Sequence, residues 1–327
     1  MSRLSAGRKT KIAARTALNI VRGKPVTVSF EITYNCNANC EHCDLGHYVE
    51  EPRLGPEVFA DWVPKLNPAV AQISGGEPTL RKDLVDIAKA MRAKDSTMIL
   101  VVTTNVHNLN EKRYLDLKEA GIDHFSFSLD YPDQRHNTFR HLKKNFEHME
   151  ELVPKLAKHD NQDIIMACVV QSDNFRELPK IAEVAKRWGV ACNFSTYNSL
   201  RTGKDFYFIS EPDDQAELAE VVEKLLAMQK EGYPILTSEW TLRAMMKFFK
   251  AGKHTNCKAG KRFAIVNPWG KLTPCGMVRE QFDTQADMVE RFTQENRCEK
   301  CFTAIRANCE KTPGRMLKDS LRAVRAR

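Results

Sequence analysis

The sequence predicts an α/β fold, an open, partial (β/α)6 barrel followed by a cysteine-rich C-terminal extension. Three observations carry this reading. Between Val26 and Tyr197, short runs rich in β-branched and aromatic residues alternate with helix-like stretches, and such alternation implies parallel strands joined by right-handed crossovers. The six strand–helix units are fewer than the eight that close a barrel of this type, so one side stays open to a large substrate. After Arg201 the alternation stops, and five of the ten cysteines follow between Cys257 and Cys309.

The strands are expected at "VTVSFEIT" from Val26, "AVAQIS" from Ala69, "MILVVTT" from Met98, "HFSFSLD" from His124, "IIMACVV" from Ile164 and "ACNFSTY" from Ala191. Helices are expected near Gly55–Leu66, Arg81–Ala93, Glu111–Ala120, Asn137–Leu156 and Asn174–Trp188. Gly121 and Gly189 each separate a helix from a strand, where helix-ending glycines belong. Glu211–Glu231 and Leu236–Gly252 read as two further helices, the first opened by Ser210-Glu211-Pro212 as cap and first turn. "FAIVNPWGKLTPC" from Phe263 reads as a hairpin, because two apolar runs flank the turn residues Asn267-Pro268-Trp269-Gly270. The expected organisation is a basic N-terminal segment (1–24), the partial barrel (25–205), a helical connection (206–252), a cysteine domain (253–310) and a basic tail (311–327).

Hydrophobic residues make up 42% of the chain and charged residues 28%, ordinary for a globular protein with a sizeable core. Apolar runs such as Met98–Val102 are far short of the ~20 residues that span a membrane, and the N-terminus lacks the apolar segment of a secretory signal. Clustered thiols without an export signal point to a reducing compartment, the cytoplasm, and to metal rather than disulfides. The net charge of +8 is uneven: residues 1–24 carry seven Lys/Arg and no acid, and 311–327 carry six against Asp319. These ends are either solvated or meet an anionic surface, phospholipid membrane or nucleic acid.

Cys36, Cys40 and Cys43 directly follow the first strand, on the rim where parallel strands bind ligands. Structural zinc takes four ligands and a disulfide two. Three thiolates in one loop suit an iron–sulfur cube with one iron left open for a substrate or cofactor. Cys36-x3-Cys40-x2-Cys43 resembles the signature of the radical S-adenosylmethionine (SAM) enzymes, and other motifs follow in that family's order over roughly residues 26–200. "SGGEP", Ser74 to Pro78, resembles the GGEP motif that holds the SAM amino group. "TTN", Thr103 to Asn105, is similar to the strand-end TNG, and "SLD", Ser128 to Asp130, to the ribose-side serine and acid. His42 departs from the aromatic residue many members place there to pack on adenine.

The resemblance implies a TIM-like partial barrel and a [4Fe–4S] cluster on Cys36, Cys40 and Cys43. It implies SAM bound along Gly75, Gly76, Glu77, Pro78, Asn105, Ser128 and Asp130, the two glycines letting backbone approach the ligand closely. In such enzymes an electron from a reductant such as flavodoxin or ferredoxin cleaves SAM to methionine and a 5′-deoxyadenosyl radical. The radical then takes a hydrogen atom from an unactivated position of the substrate.

In the tail, the expected hairpin brings Cys257 and Cys275 near one another, and Cys298-x2-Cys301 adds a pair at the commonest metal-loop spacing. Four thiolates complete either zinc or a cluster. The spacing also resembles the C-terminal extensions called SPASM, or twitch in the shorter form, which carry auxiliary [4Fe–4S] clusters. Five cysteines are too few for the two clusters of the full form, so one is implied, on Cys257, Cys275, Cys298 and Cys301. Cys309 is a substitute for one of the last pair or an unligated thiol. Electron transfer is the role such a fully ligated cluster fits, in an oxidoreductase or maturase whose substrate the sequence does not name.

Tyr131, Arg135, His136 and Arg140 follow the fourth strand and either contact substrate or SAM or begin a charged surface helix. Asn193, Tyr197 and Arg201 end the sixth strand. Cys168 and Cys192 lie inside strands, as buried small hydrophobes do. The rival function is a non-catalytic zinc-binding module whose basic ends hold nucleic acid or an anionic membrane.

Overall fold

The computed structural model describes residues 4–312, Gly314 and Arg315; most of the basic tail expected over 311–327 lies outside the described residues. The six expected strands form where the sequence places them: β1 (Thr27–Thr33), β2 (Val70–Gly75), β3 (Ile99–Thr104), β4 (His124–Ser128), β5 (Ile164–Val170) and β6 (Ala191–Thr196). The expected hairpin supplies β7 (Phe263–Val266) and β8 (Leu272–Thr273), paired antiparallel. Strand order in the sheet is β6-β5-β4-β3-β2-β1-β7-β8. β1 pairs in parallel with β2 on one side and β7 on the other, and β2–β3 and β5–β6 are also parallel. This is the partial (β/α)6 barrel type, with the first hairpin strand of the extension added beside β1.

Helices precede and separate the strands: α1 (Ala6–Arg22), α2 (Pro56–Ala60), α3 (Trp62–Leu66), α4 (Leu84–Lys94), α5 (Glu111–Glu119), α6 (Arg135–Arg140), α7 (Asn145–Ala157) and α8 (Leu178–Trp188). After the barrel come α9 (Pro212–Lys230), α10 (Glu239–Ala251), α11 (Gln285–Met288) and α12 (Ala304–Cys309). The chain divides into two compact units. One holds residues up to Asn39, Leu45–Ser126 and Lys258–Asn296; the other holds Cys40–Asp44, Phe127–Cys257 and residues from Arg297 on.

In the first unit, α4 buries Leu84, Ile87, Ala88 and Met91, and β3 alternates with Leu100, Val102 and Thr104 buried. α1 is held by its arginines rather than by an apolar stripe. Arg8 donates to Asp123 Oδ1 and Oδ2 at 2.6 Å each and to Met98 O, and Arg15 pairs with Asp95. Asp123 also accepts from Arg92 at 2.7 Å and from the Leu100 amide at 2.9 Å. Two of the basic residues of 1–24 are thus spent on internal carboxylates. Trp62 Nε1 donates to Gly270 O at 3.0 Å, tying α3 to the hairpin turn.

In the second unit, β5 buries Ile164, Met166, Cys168 and Val170, a period of two. α7 and α8 turn Phe146, Met149, Leu152, Leu178, Ile181 and Trp188 inward, and Phe146 meets Trp188 at 5.7 Å between ring centres. Cys168 and Cys192 are buried, and burial first of all raises both thiol pKa values. α10 buries Phe248 and Phe249, and Phe302 of the extension lies 6.3 Å from Phe248 and 6.1 Å from Trp240. Among the described residues no helix is long and apolar enough to cross a membrane.

The stretch expected as one helix over Asn137–Leu156 is two, α6 and α7. His141 (φ 52°) and Lys144 (φ 54°) adopt left-handed backbone between them. Neither is glycine or asparagine, so nothing local announces the break.

Candidate active site

In the first unit, the end of β2 is packed against the chain leaving β1. Gly75 has φ 123°. A Cβ on Gly75 would lie 2.1 Å from Thr33 O, and one on Gly76 would lie 2.2 Å from Asn35 O. Gly76 N donates to Thr33 O at 2.8 Å and Glu77 N to Asn35 O at 2.9 Å. The close approach these glycines permit is therefore to the backbone that leads into Cys36. The same stretch is closed from the far side: Asn35 Nδ2 donates to Val49 O, and Val49 N donates to Asn35 Oδ1, both at 3.0 Å.

Glu77 is buried with its carboxylate fully engaged. Oε1 accepts from Thr79 N (3.0 Å), Thr79 Oγ1 (2.6 Å) and Thr104 Oγ1 (2.7 Å), and Oε2 accepts from Asn105 N at 2.7 Å. Pro78 opens the short 3-10 turn Pro78–Leu80 beside it. Asn105 Nδ2 donates to Asn37 Oδ1 at 2.7 Å, so Glu77 and Asn105 join the ends of β2 and β3 to the cysteine loop. Asn37 Nδ2 is buried without a partner. Ala38 N donates to Cys36 Sγ at 3.4 Å.

In the second unit, Ser128 is half-buried at the end of β4 and Asp130 is 0% exposed. Asp130 Oδ2 accepts from Arg140 Nε at 2.8 Å and Nη2 at 2.6 Å, and Oδ1 accepts from Val169 N at 3.1 Å. Arg140 Nη1 reaches Cys40 Sγ at 3.7 Å. The Asp130 amide donates to His136 Nδ1 at 3.2 Å, and Asn145 Nδ2 lies 3.4 Å from His136 Nε2. Arg140 and His136 are buried, not part of a charged surface helix.

Burial opposes the charged forms here, and the partners decide the outcome. Burial alone would raise the Asp130 pKa, but Arg140 above all holds it below the usual carboxylate range. Burial would lower that of Arg140, and Asp130 and then Cys40 raise it instead. For His136, burial and then Arg140 outweigh the opposing pull of Asp130 and push it down to about 3, so it is neutral. His42 is pushed down to about 4, first by burial, and stacks on Phe139 with ring centres 5.0 Å apart. Its Nδ1 is buried and unpartnered. Glu41 is held from two sides, by His141 Nε2 at 2.7 Å and Lys204 Nζ at 3.0 Å. Next to this loop Tyr131, Phe139, Tyr197 and Tyr207 form one buried aromatic cluster.

The extension repeats the arrangement of a buried guanidinium at a thiol. Arg306, on α12, is 0% exposed. Its Nη1 donates to Cys301 O at 2.7 Å and lies 3.9 Å from Cys301 Sγ; Nη2 donates to the carbonyls of His254 and Thr255 at 2.6 and 2.7 Å; Nε donates to Glu310 at 2.8 Å. Burial raises the Cys301 pKa and Arg306 opposes it, while Cys257 and Cys298 are near enough to act on the same thiol. Cys309 is buried on α12 in this unit, and Cys275 belongs to the first unit. Nothing local in the sequence marks Arg306, because three of its donated bonds go to the backbone carbonyls of His254, Thr255 and Cys301.

The ten cysteines form no disulfide. Among the described residues no three His, Cys, Asp or Glu side chains converge on one metal-ion position. A cube binds one thiolate per iron and asks for no such convergence. The donor set fits it: thiols within one loop, a buried cation at Cys40 and a second at Cys301.

Strand-end motifs and a three-cysteine loop on a partial barrel define a class, and the comparisons agree. Residues 30–185 match the radical SAM superfamily, so the chain contains a radical SAM domain over that stretch. It is 27% identical over 281 residues to the AdoMet-dependent heme synthase of Methanosarcina barkeri, covering 77% of each chain. It is 24% identical over 265 residues to the PqqA peptide cyclase of Bradyrhizobium diazoefficiens, covering 77% of this chain and 67% of that one. The fold is shared with Streptococcus suis SuiB bound to its precursor peptide SuiA, at a TM-score of 0.63 and 13% identity, over 86% of this chain and 68% of SuiB.

Proposed function

We propose that this enzyme holds a [4Fe–4S] cluster on Cys36, Cys40 and Cys43 and cleaves SAM there, with one auxiliary [4Fe–4S] cluster on Cys257, Cys275, Cys298 and Cys301. Bound together, the cube and SAM supply reductive cleavage of the sulfonium and removal of a hydrogen atom from the substrate. The observation that carries the reading is the loop Cys36–Cys43 in a region matching the radical SAM superfamily, with the buried Arg140 guanidinium at Cys40 Sγ. A neutral thiol is a weak acceptor, whereas a metal-bound thiolate suits a charged donor.

The residues around the loop divide the work. Gly75, Gly76, Pro78, Asn105 and Ser128, at strand ends, are the residues proposed for SAM. Glu77 and Asp130 serve it indirectly, since the carboxylate of each is already engaged by protein donors. Glu77 fixes the Asn105 amide, and Asp130 fixes Arg140. The aromatic cluster around Phe139 and Tyr207 keeps water from this part of the loop. On this reading the barrel (25–205) performs SAM cleavage and the cysteine domain (253–310) accepts the electron left on the substrate. The reaction class is then oxidation or maturation in the cytoplasm, with flavodoxin or ferredoxin as reductant. Relatives named for heme synthesis and for peptide cyclisation leave both a tetrapyrrole and a peptide as substrate classes.

Anaerobic purification tests the cofactor content. About eight irons per chain are expected at four per cube, and about four in Cys36→Ala. Colourless protein carrying zinc alone would refute the reading.

A further inference from the structure

Arg140 has a role that neither the motif nor the fold assigns. It ends α6 at the unannounced break before α7, and it is buried with a guanidinium that faces two ways. Nε and Nη2 are taken by Asp130 Oδ2. Nη1 is left for Cys40 Sγ at 3.7 Å. Asp130 is itself fixed by the Val169 amide, and the peptide that carries it by His136. The guanidinium therefore cannot swing away from the sulfur without giving up a buried ion pair. Such pairs add little net stability, because desolvation consumes most of the attraction. An arginine that is buried, anchored and aimed at one sulfur is better explained by what it does to that sulfur.

We infer that Arg140 is a positioning residue that raises the reduction potential of the cluster on Cys36, Cys40 and Cys43 by holding an N–H and a positive charge at Cys40 Sγ. The inference rests on the cluster proposed above. The step concerned is one-electron: a low-potential donor is oxidised and the cluster gains the electron, with no bond made or broken. The added negative charge spreads onto the ligand sulfurs. A charged donor at one of them stabilises the reduced form more than the oxidised form, and hydrogen bonds to sulfur and net charge are established determinants of cluster potential. The Asp130 carboxylate offsets part of the charge, so the fixed N–H carries the remainder. Lysine in its place would keep the charge and lose the planar fork that serves Asp130 and Cys40 together.

The test is a redox titration of the full chain, purified anaerobically and followed by electron paramagnetic resonance without SAM. The signal to follow is the one that Cys36→Ala removes. Two variants are compared with wild type: Arg140→Lys, and Arg140→Met combined with Asp130→Asn so that no buried charge is orphaned. At the wild-type midpoint, the ratio of reduced to oxidised cluster is expected to fall about tenfold in the double variant, a shift of ~59 mV for a one-electron couple. Arg140→Lys is expected to fall between the two. A double variant that keeps its iron and titrates with the wild-type midpoint overturns the inference. So does failure of both variants to take up that iron, which would make Arg140 an assembly residue. Wild-type protein lacking any Cys36-dependent signal is a distinct result and refutes the cluster itself.

Discussion

Gly76→Ala probes how the strand end and the cysteine loop are built together. Its Cβ would stand 2.2 Å from Asn35 O and 2.6 Å from Tyr34 O. Carbon contacts are favourable only near ~3.5 Å, so backbone must move by roughly 1 Å. Both obstacles are main-chain atoms, and no rotamer change relieves them. Overpacking of this kind costs about 1–3 kcal/mol. The displacement also strains two hydrogen bonds, Gly76 N to Thr33 O and Glu77 N to Asn35 O, at about 1 kcal/mol each. A loss of about 3–5 kcal/mol is expected, and the strain passes directly to Cys36, the next residue after Asn35. Urea denaturation of anaerobically purified protein, followed by circular dichroism, measures the first effect; iron per chain measures the second. Gly7→Ala is the control, because a Cβ there meets nothing within 4 Å. Should Gly76→Ala lose under ~0.5 kcal/mol and keep its full iron, the packing account of the glycines is wrong.

Other outcomes follow from the same geometry. Glu77→Gln turns one acceptor into a donor among four inward-facing donors, and about 1–3 kcal/mol of stability should be lost; an unchanged urea midpoint would contradict the bonding described. His136 is neutral in the folded chain with a pKa of about 3, against 6.5 as its ordinary value. Below pH 6.5 the unfolded chain therefore binds a proton that the folded chain does not, and stability falls as pH drops towards 3, by up to ~1.4 kcal/mol per pH unit. Between pH 6 and 5, His136→Asn should lose visibly less stability than wild type; equal slopes would remove His136 as a source. Cys275→Ala should lower iron by one cluster's worth and reduce final product far more than 5′-deoxyadenosine. A folded variant with full iron and an unchanged product ratio would end the auxiliary-cluster proposal.

Much of the fold was legible because its signals are local. Runs such as "IIMACVV" alternate inward and outward with a period of two, and β5 forms at Ile164–Val170 as expected. The turn at Asn267–Gly270 carries its own chemistry, and Gly270 adopts φ 71°. What stayed hidden depends on distant partners. α1 is secured by Arg8 on Asp123, 115 residues away, so its basic sequence resembles a solvated tail. The break at His141–Lys144 uses residues that ordinarily continue a helix. Of the candidate site, the motif positions were visible, but not the partners of their side chains. Glu77 and Asp130 stand within motifs associated with SAM, yet their carboxylates face Thr79, Thr104, Asn105, Arg140 and Val169. Arg140 at Cys40 and Arg306 at Cys301 arise from pairings that only the folded chain makes.

The central claim is that this loop of three cysteines supports SAM cleavage, and formation of 5′-deoxyadenosine tests it most directly. Anaerobic protein reduced with dithionite and given SAM should release 5′-deoxyadenosine. Cys36→Ala, Cys40→Ala and Cys43→Ala should each abolish it, while circular dichroism shows a folded chain and about half the iron remains. Release of 5′-deoxyadenosine by any one of these three variants would contradict the account.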